Sequence, residues 1–432
     1  MKRGYAVLLL AVLVGNFYAA TYDFRPTTDT RLNNLQSRAL ALHGDIDLTR
    51  YAEDYHLDNF AMALPRHGDL RSGYGVGISV IALPIYAVLG RFTTSGAVLE
   101  GTTSILFATA AVAGLYFVLL KLYGTTSALL GALAFAFGTT LWPVGTTAFW
   151  QQAPVLALQS VGLIGLFSHA RWSPALAGAA LGVAVWIRPA AAFVFVAGAV
   201  VYFARKDRRA LVAYLASGAL PVIGLLVQNQ VMWGSLLRGA YRFSPDYGFG
   251  NDLGQSLPGF FIGPWRGLFL YSPFLVFSVV SVGIALRDRT QHHKTILILQ
   301  LGAVATLSFY VWWTFWWGGQ SQYGYRLPLD VVPILVLGAV HGSLHALRFR
   351  AVTLALVVIS ILIMVAGSIT NDLGWDYYEL PEHWTATPLA QATYAALHAP
   401  LDTAARIIGI ALIAVIMHVV TRRLPAEGPA HG

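Results

Sequence analysis

The chain has 432 residues, of which 56% are hydrophobic and only 11% charged, against roughly 25% charged in an ordinary soluble domain. So few charges cannot cover a soluble protein of this size, and the absence of cysteine excludes disulfide scaffolds, Cys-ligated zinc, iron–sulfur clusters and thiol catalysis. The net charge of +8 is spread in short basic clusters between apolar runs, which is the pattern of membrane topology and not of a nucleic-acid surface.

In chain order the apolar runs are 5–20, 76–91, 98–120, 126–143, 150–168, 174–204, 209–231, 268–286, 296–316, 327–345, 351–370 and 404–420. A spanning helix takes about 20 residues, and within a bilayer every backbone polar group must be paired inside its own segment or in a closed barrel. These runs are too long and too uniformly apolar for barrel strands. The expected fold is all-α and polytopic, a bundle of about 12 transmembrane helices in one integral membrane domain over 1–432. The first run follows Met1-Lys2-Arg3 and lacks a small-x-small cleavage site before Thr21, so it reads as a retained signal-anchor helix. For the first half two readings stand. Either 76–91 spans and 174–204 is one long helix, or 76–91 lies at the outer surface and 174–204 is two helices broken at Arg188-Pro189. Proline removes a backbone donor and disfavours helical geometry in the residue before it, which favours the second.

Charge sets the expected orientation. Lys2/Arg3, Arg205/Lys206/Arg208/Arg209, Arg287/Arg289/Lys294, Arg348/Arg350 and Arg422/Arg423 belong on the cytoplasmic side of a multi-pass inner (plasma) membrane protein. Segments 21–97, 232–267 and 371–403 are then extracytoplasmic. The acids agree, since eight of the 20 Asp and Glu residues lie in 21–75 and five more in 371–403.

The first outer loop is too long for a connector, and loops of this length are commonly functional. Asp29 stands just past the first run, where it also suits a helix N-terminus. Asp45 and Asp47 follow Gly44, where an Asx turn is the competing reading. Arg71 and Tyr74 sit in a Gly/Tyr-rich entry into the run at 76. A carboxylate at a membrane surface can serve as general base toward an acceptor hydroxyl, and arginine holds a phosphate through two parallel hydrogen bonds. Arg188 lies within an apolar run, where an arginine costs roughly 2.5–3.5 kcal/mol on insertion scales and so has a partner or a task. Arg326 begins a span at its outer end. The aromatic run that includes Trp317 reads as an interfacial belt or a stacking surface for a sugar or prenyl chain, with Tyr323 close behind. The histidines show no HExxH and no paired ligand spacing, so no metal site and no cofactor is expected, and "GYGVG" lacks the strand–helix setting of a nucleotide loop.

At this point the sequence resembles a family. The stretch "TTDTRLNNLQSRALALHGDIDLTRY" with "LRSGYGVGISVIALPIYAVLG" is similar to the first outer loop of bacterial GT-C glycosyltransferases of the phospholipid-carrier-dependent, protein-mannosyltransferase-like group. "FGTTLWPVGTTAFWQQ", "VAVWIRPAAA", "GLFLYSPFLV" and "WWGGQSQYGYRLPLDVVP" follow in the same order over about residues 5–340. The resemblance implies a GT-C-like bundle with a large first extracytoplasmic loop. It implies an inverting hexosyl- or pentosyltransferase that moves a sugar from a polyprenyl-phosphate donor to a glycan, lipid or protein acceptor on the outer face. By position Asp29 matches the catalytic base, and Arg188, Arg326 and Arg71 would bind the donor phosphate. Thr30 follows Asp29 where many members carry a second acid, and Gln151-Gln152 stand where many carry another. Asp45, Asp47, Tyr74, Gln151, Gln152, Tyr323 and Trp317 are the further substrate-contacting candidates. The competing function is a transporter or flippase of a lipid-linked or small polar substrate, which should show internal repeats with matching interrupted helices. None is visible.

Overall fold

The computed structural model describes residues 2–237, 239, 248–264, 266–288, 290–319, 322–345, 350–370 and 387–422. Half of the expected loop 371–403, part of 232–267, and Arg289, Arg348 and Arg423 of the basic clusters lie outside the described residues.

The apolar runs fold as helices because each pairs its own backbone, as a bilayer demands. In chain order the helices are α1 (Lys2–Ala20), α2 (Thr28–His43), α3 (Ala52–Tyr55), α4 (Gly77–Leu89), α5 (Gly96–Tyr123), α6 (Thr125–Phe137), α7 (Gln152–Leu166), α8 (Ser173–Ile187) and α9 (Ala192–Ala204). They continue with α10 (Arg208–Trp233), α11 (Leu253–Ile262), α12 (Leu268–Tyr271), α13 (Phe277–Arg287), α14 (Gln291–Trp312), α15 (Val332–His345), α16 (Arg350–Thr370), α17 (Pro388–His398) and α18 (Pro400–Arg422). Among the described residues, seven helical segments are long and apolar enough to cross a membrane: α1, α5, α10, α14, α15 with the turn before it, α16 and α18. The shorter apolar helices α4, α6, α7, α8, α9 and α13 run 10–17 residues, counting the 3-10 turns that lead into α9 and α13. The protein is a multi-pass membrane protein. A total of about twelve spans requires five of the shorter helices to cross as well.

α6 and α7 are buried on nearly every side, whereas α10 and α18 leave Leu220, Val231, Leu412 and Val415 exposed, as faces turned to lipid do. Helices approach closely where residues are small. A Cβ on Gly182 of α8 would lie 2.5 Å from the Gly218 carbonyl of α10. Within a membrane such close packing replaces the hydrophobic effect as the main attraction between helices. Of the two readings of 174–204, the structure has the broken one. Arg188 is extended (φ −137°, ψ 107°) ahead of Pro189, and a 3-10 turn over Pro189–Ala191 starts the next helix.

Two features of 21–95 go beyond the sequence reading. The first is that α2 is a full helix of 16 residues, closed at its start by a reciprocal box between Thr27 and Thr30 and at its end by Gly44 in the left-handed conformation (φ 75°). The second is a short hairpin within the otherwise all-α architecture. Ala63–Arg66 (β1) pairs antiparallel with Asp69–Ser72 (β2) around His67 and Gly68, both at positive φ, as a two-residue hairpin turn requires. Gly75 and Gly77 of the "GYGVG" run serve close approach. A Cβ on Gly75 would lie 2.8 Å from the Trp186 carbonyl, and one on Gly77 2.9 Å from the Trp186 ring. That contact seats α4 against α8, near the break at Arg188.

Candidate active site

Three segments distant in sequence meet where α2 begins. Asp29 lies in the first turn of α2, where the helix N-terminus favours a negative charge. Arg326 immediately precedes the 3-10 turn Leu327–Val331 that leads into α15. Its Nη1 lies 3.2 Å from Asp29 Oδ2, and its guanidinium stacks 4.3 Å from the ring centroid of Trp150. The two side chains are 14% and 31% exposed, Arg326 and Asp29 respectively, so the carboxylate keeps an open side.

A second, deeper cluster adjoins the first through chain continuity, because Gln151 follows Trp150 and Asp330 shares the 3-10 turn that Arg326 opens. Arg188 is its centre. Nε donates to Asp330 Oδ2 at 2.6 Å, Nη1 to Gln151 Oε1 at 3.1 Å and Nη2 to the Tyr310 hydroxyl at 2.8 Å. Tyr310 donates in turn to the Asp330 carboxylate. Gln159 Nε2 donates to the Asp330 carbonyl at 2.5 Å. Gln152 and Gln159, seven residues apart, share one face of α7. Both are buried, and neither amide atom of Gln152 has a hydrogen-bond partner among the described residues; nor has Asp330 Oδ1. Gln159 Oε1 joins them, so four of the buried unpartnered atoms lie on residues in or next to the network that holds Arg188.

The loop before Arg326 is held from within. Buried Arg266 donates to the carbonyls of Gln322 and Gly324, the latter at 2.9 Å, and to that of Gly319 at 3.0 Å. Gly318, Gly319 and Gly324 all take positive φ, and Arg326 packs back over Gly318 and Gly319. Beside this loop, Pro258, Ile262, Pro264 and Trp316 line an open apolar groove of about 320 Å³.

Of the residues singled out from sequence, Asp29, Arg326, Arg188 and Gln151 are brought together by these contacts, with Gln152 next in the chain. Arg71 lies on β2 with its guanidinium 2.6 Å from Asp69, whereas Arg188 and Arg326 pair with Asp330 and Asp29. Tyr74 is buried in a small separate core with Tyr51, Leu57, Met62 and Trp233. Asp45 accepts from the Asp47 amide at 3.1 Å and pairs with Arg50 at 2.5 Å. Asp47 accepts from the Thr49 amide and hydroxyl at 2.8 and 2.6 Å. Burial pushes the Asp47 carboxyl up, but the Thr49 hydrogen bonds and Arg50 outweigh it and hold the group below its ordinary value. Both aspartates build the turn after α2. Tyr323 is a strut whose hydroxyl donates to the Ile363 carbonyl at 2.8 Å, and Trp317 packs edge-on against Trp316.

Glu100, Trp150, Tyr310 and Asp330 are not singled out by the sequence reading. Glu100 and Asp330 interrupt apolar runs just as Arg188 does, so the cost of burying a charge would have found them. Nothing in the sequence marks Trp150 or Tyr310.

No protein-family model matches the chain, and no curated protein matches it by sequence. Solved structures do. The crystal structure of ArnT from Cupriavidus metallidurans in the apo state is similar at a TM-score of 0.53 and 15% identity, over 97% of this chain and 75% of that one. ArnT from the same organism bound to undecaprenyl phosphate is similar at 0.52 and 13%, over 97% and 78%. The oligosaccharyltransferase of Archaeoglobus fulgidus, in complex with zinc and sulfate, gives 0.45 and 12%, over 94% and 57%. The two ArnT likenesses establish a shared fold, a GT-C-like bundle of membrane helices.

Proposed function

We propose that the protein is an inverting glycosyltransferase that takes its sugar from a polyprenyl-phosphate donor and delivers it to an acceptor hydroxyl on the non-cytoplasmic face. The observation that carries this reading is the meeting of one half-open carboxylate, Asp29, with Arg326 at 3.2 Å, above a second arginine, Arg188, at the same end of an apolar bundle. ArnT, which shares the fold, binds undecaprenyl phosphate, and this supports a lipid-linked phosphate as the donor class.

The chemistry follows from the parts. Asp29 takes the proton of the acceptor hydroxyl as that oxygen attacks the anomeric carbon. The bond from that carbon to the phosphate oxygen breaks on the opposite face, and polyprenyl phosphate leaves. Phosphate is a good leaving group beside two guanidiniums, so one carboxylate suffices and Thr30 need not be an acid. Gln152, with both amide atoms buried and without a hydrogen-bond partner among the described residues, offers hydrogen bonds to sugar hydroxyls. The apolar groove beside Trp316 suits the first prenyl units. Arg71, held by Asp69 in the hairpin, belongs at most to the rim. Asp45 and Asp47 support the loop.

The placement of the basic clusters supports an orientation with the α2 end of the bundle outside the cytoplasm. The direct test is transfer of labelled sugar from a polyprenyl-phosphate donor by the purified protein in lipid nanodiscs, compared with Asp29→Asn. Wild-type turnover in that variant removes Asp29 as the base.

A further inference from the structure

Glu100 lies one turn into α5, only 1% exposed, in a mostly apolar helix whose other charged residue, Lys121, sits in its last turn. A carboxylate there is expensive, and the transfer chemistry proposed above does not use it. Its Oε2 accepts from the Phe149 amide at 3.1 Å. From the other side Asn33 Nδ2 donates to the Phe149 carbonyl at 3.1 Å. One turn further along α5, Ser104 donates to the Ala148 carbonyl at 2.6 Å. Asn33 is one turn after Asp29 on α2, so one wall of the clamp belongs to the helix that carries Asp29. The residues that follow the clamped peptide are Trp150, on which Arg326 stacks, and Gln151, which accepts from Arg188.

We infer that Glu100 is a positioning residue. It fixes the Phe149 peptide so that Trp150 lies under Arg326 and Gln151 reaches Arg188, and thereby holds both arginines where the donor phosphate must sit. A charged acceptor makes a stronger hydrogen bond than a neutral one. Its position on a rigid helix, not a loop, makes the hold geometrically sharp. This role rests on the glycosyl-transfer reading.

The experiment uses the full-length protein in nanodiscs, with undecaprenyl phosphate as the binding probe and labelled-sugar transfer as the activity. Reach is the discriminating variable. In Glu100→Gln an amide oxygen still accepts from the Phe149 N–H at the same distance, so turnover and probe affinity stay within about 5-fold of wild type, the scale of a neutral for a charged acceptor. Glu100→Asp keeps the charge but withdraws it by one methylene, and Glu100→Ala removes it. Both lower turnover by about 10- to 100-fold, the scale of a sub-ångström to ångström misplacement. In each, amide exchange speeds up at Phe149–Gln151.

A role through Trp150 and Gln151 also predicts that Glu100→Ala costs less in a Trp150→Ala background than in the wild type, because only the Gln151 route is left to lose. A general packing role would give additive losses. If Glu100→Ala does not fold, the Gln-against-Asp contrast still decides. Full activity in Glu100→Asp, collapse in Glu100→Gln, or additivity with Trp150→Ala overturns the assignment while leaving the transferase reading intact. A folded wild type that neither binds undecaprenyl phosphate nor transfers sugar overturns that reading, and the role of Glu100 with it.

Discussion

Replacing Asp29 by Asn separates chemistry from folding in this chain. The Thr27–Thr30 box that starts α2 does not use the Asp29 side chain, so the helix keeps its cap. What is lost is a charge at a helix N-terminus, about 0.3–1 kcal/mol, and an ion pair whose acid is 31% exposed, about 0–1 kcal/mol after solvent screening. The stability cost is therefore about 0.3–2 kcal/mol, small beside a typical margin of about 5–15 kcal/mol. The catalytic cost is larger, because a positioned general base contributes about 10²–10⁴-fold, or about 3–5 kcal/mol of barrier. The same change frees Arg326 from its carboxylate while leaving it on Trp150. Donor binding is thus expected unchanged or tighter while turnover collapses. Thermal unfolding, undecaprenyl phosphate affinity and single-turnover transfer of labelled sugar measure the three quantities separately. Near-normal turnover in Asp29→Asn, with collapse in Asp45→Asn or Asp47→Asn, refutes the reasoning and moves the base to the turn after α2.

Arg188→Lys keeps the charge but cannot hold Asp330, Gln151 and Tyr310 at once, so donor affinity falls by about tenfold or more; affinity equal to wild type removes Arg188 from the phosphate site. Two guanidiniums neutralise a single phosphate without a divalent ion, so transfer is expected to persist in excess chelator, and its abolition with rescue by one metal would disprove this. The chain has no native cysteine, so an impermeant thiol reagent on intact cells should label Asp58→Cys and not Asp207→Cys; labelling at 207 inverts the orientation. Gly77→Val forces side-chain atoms into space that the Trp186 ring already fills, since even a Cβ there would lie 2.9 Å from that ring. The fold should lose about 1–3 kcal/mol, read as a lower unfolding temperature, and an unchanged unfolding temperature would show that α4 and α8 can part at no cost.

Much of the architecture is written in the sequence because a bilayer leaves the backbone few choices. Uninterrupted apolar length specifies helix, the Arg188-Pro189 pair specifies the break, and the segment 21–75 announces itself by its acids. The cost of burying charge picks out Arg188, and Arg326 at the mouth of a span, without any knowledge of what they touch. Applied evenly, it picks out Glu100 and Asp330 as well. The rest is decided in three dimensions. The hairpin at 63–72 is hidden in the sequence because its strands are only four residues long, and its turn needs two residues at positive φ that no hydrophobic period announces. Arg71 looks equivalent to Arg326 in sequence, yet on β2 it shares a face with Asp69, two residues before it, and pairs with that carboxylate. Trp150 and Tyr310 carry no sequence signal, because an aromatic residue in an apolar run is the ordinary case. Their roles exist only once Arg326 and Arg188, 176 and 122 residues away, fold onto them. A sequence states which charges must find a partner in the membrane. Which partner each one meets depends on helix packing, and that is set by contacts between segments hundreds of residues apart.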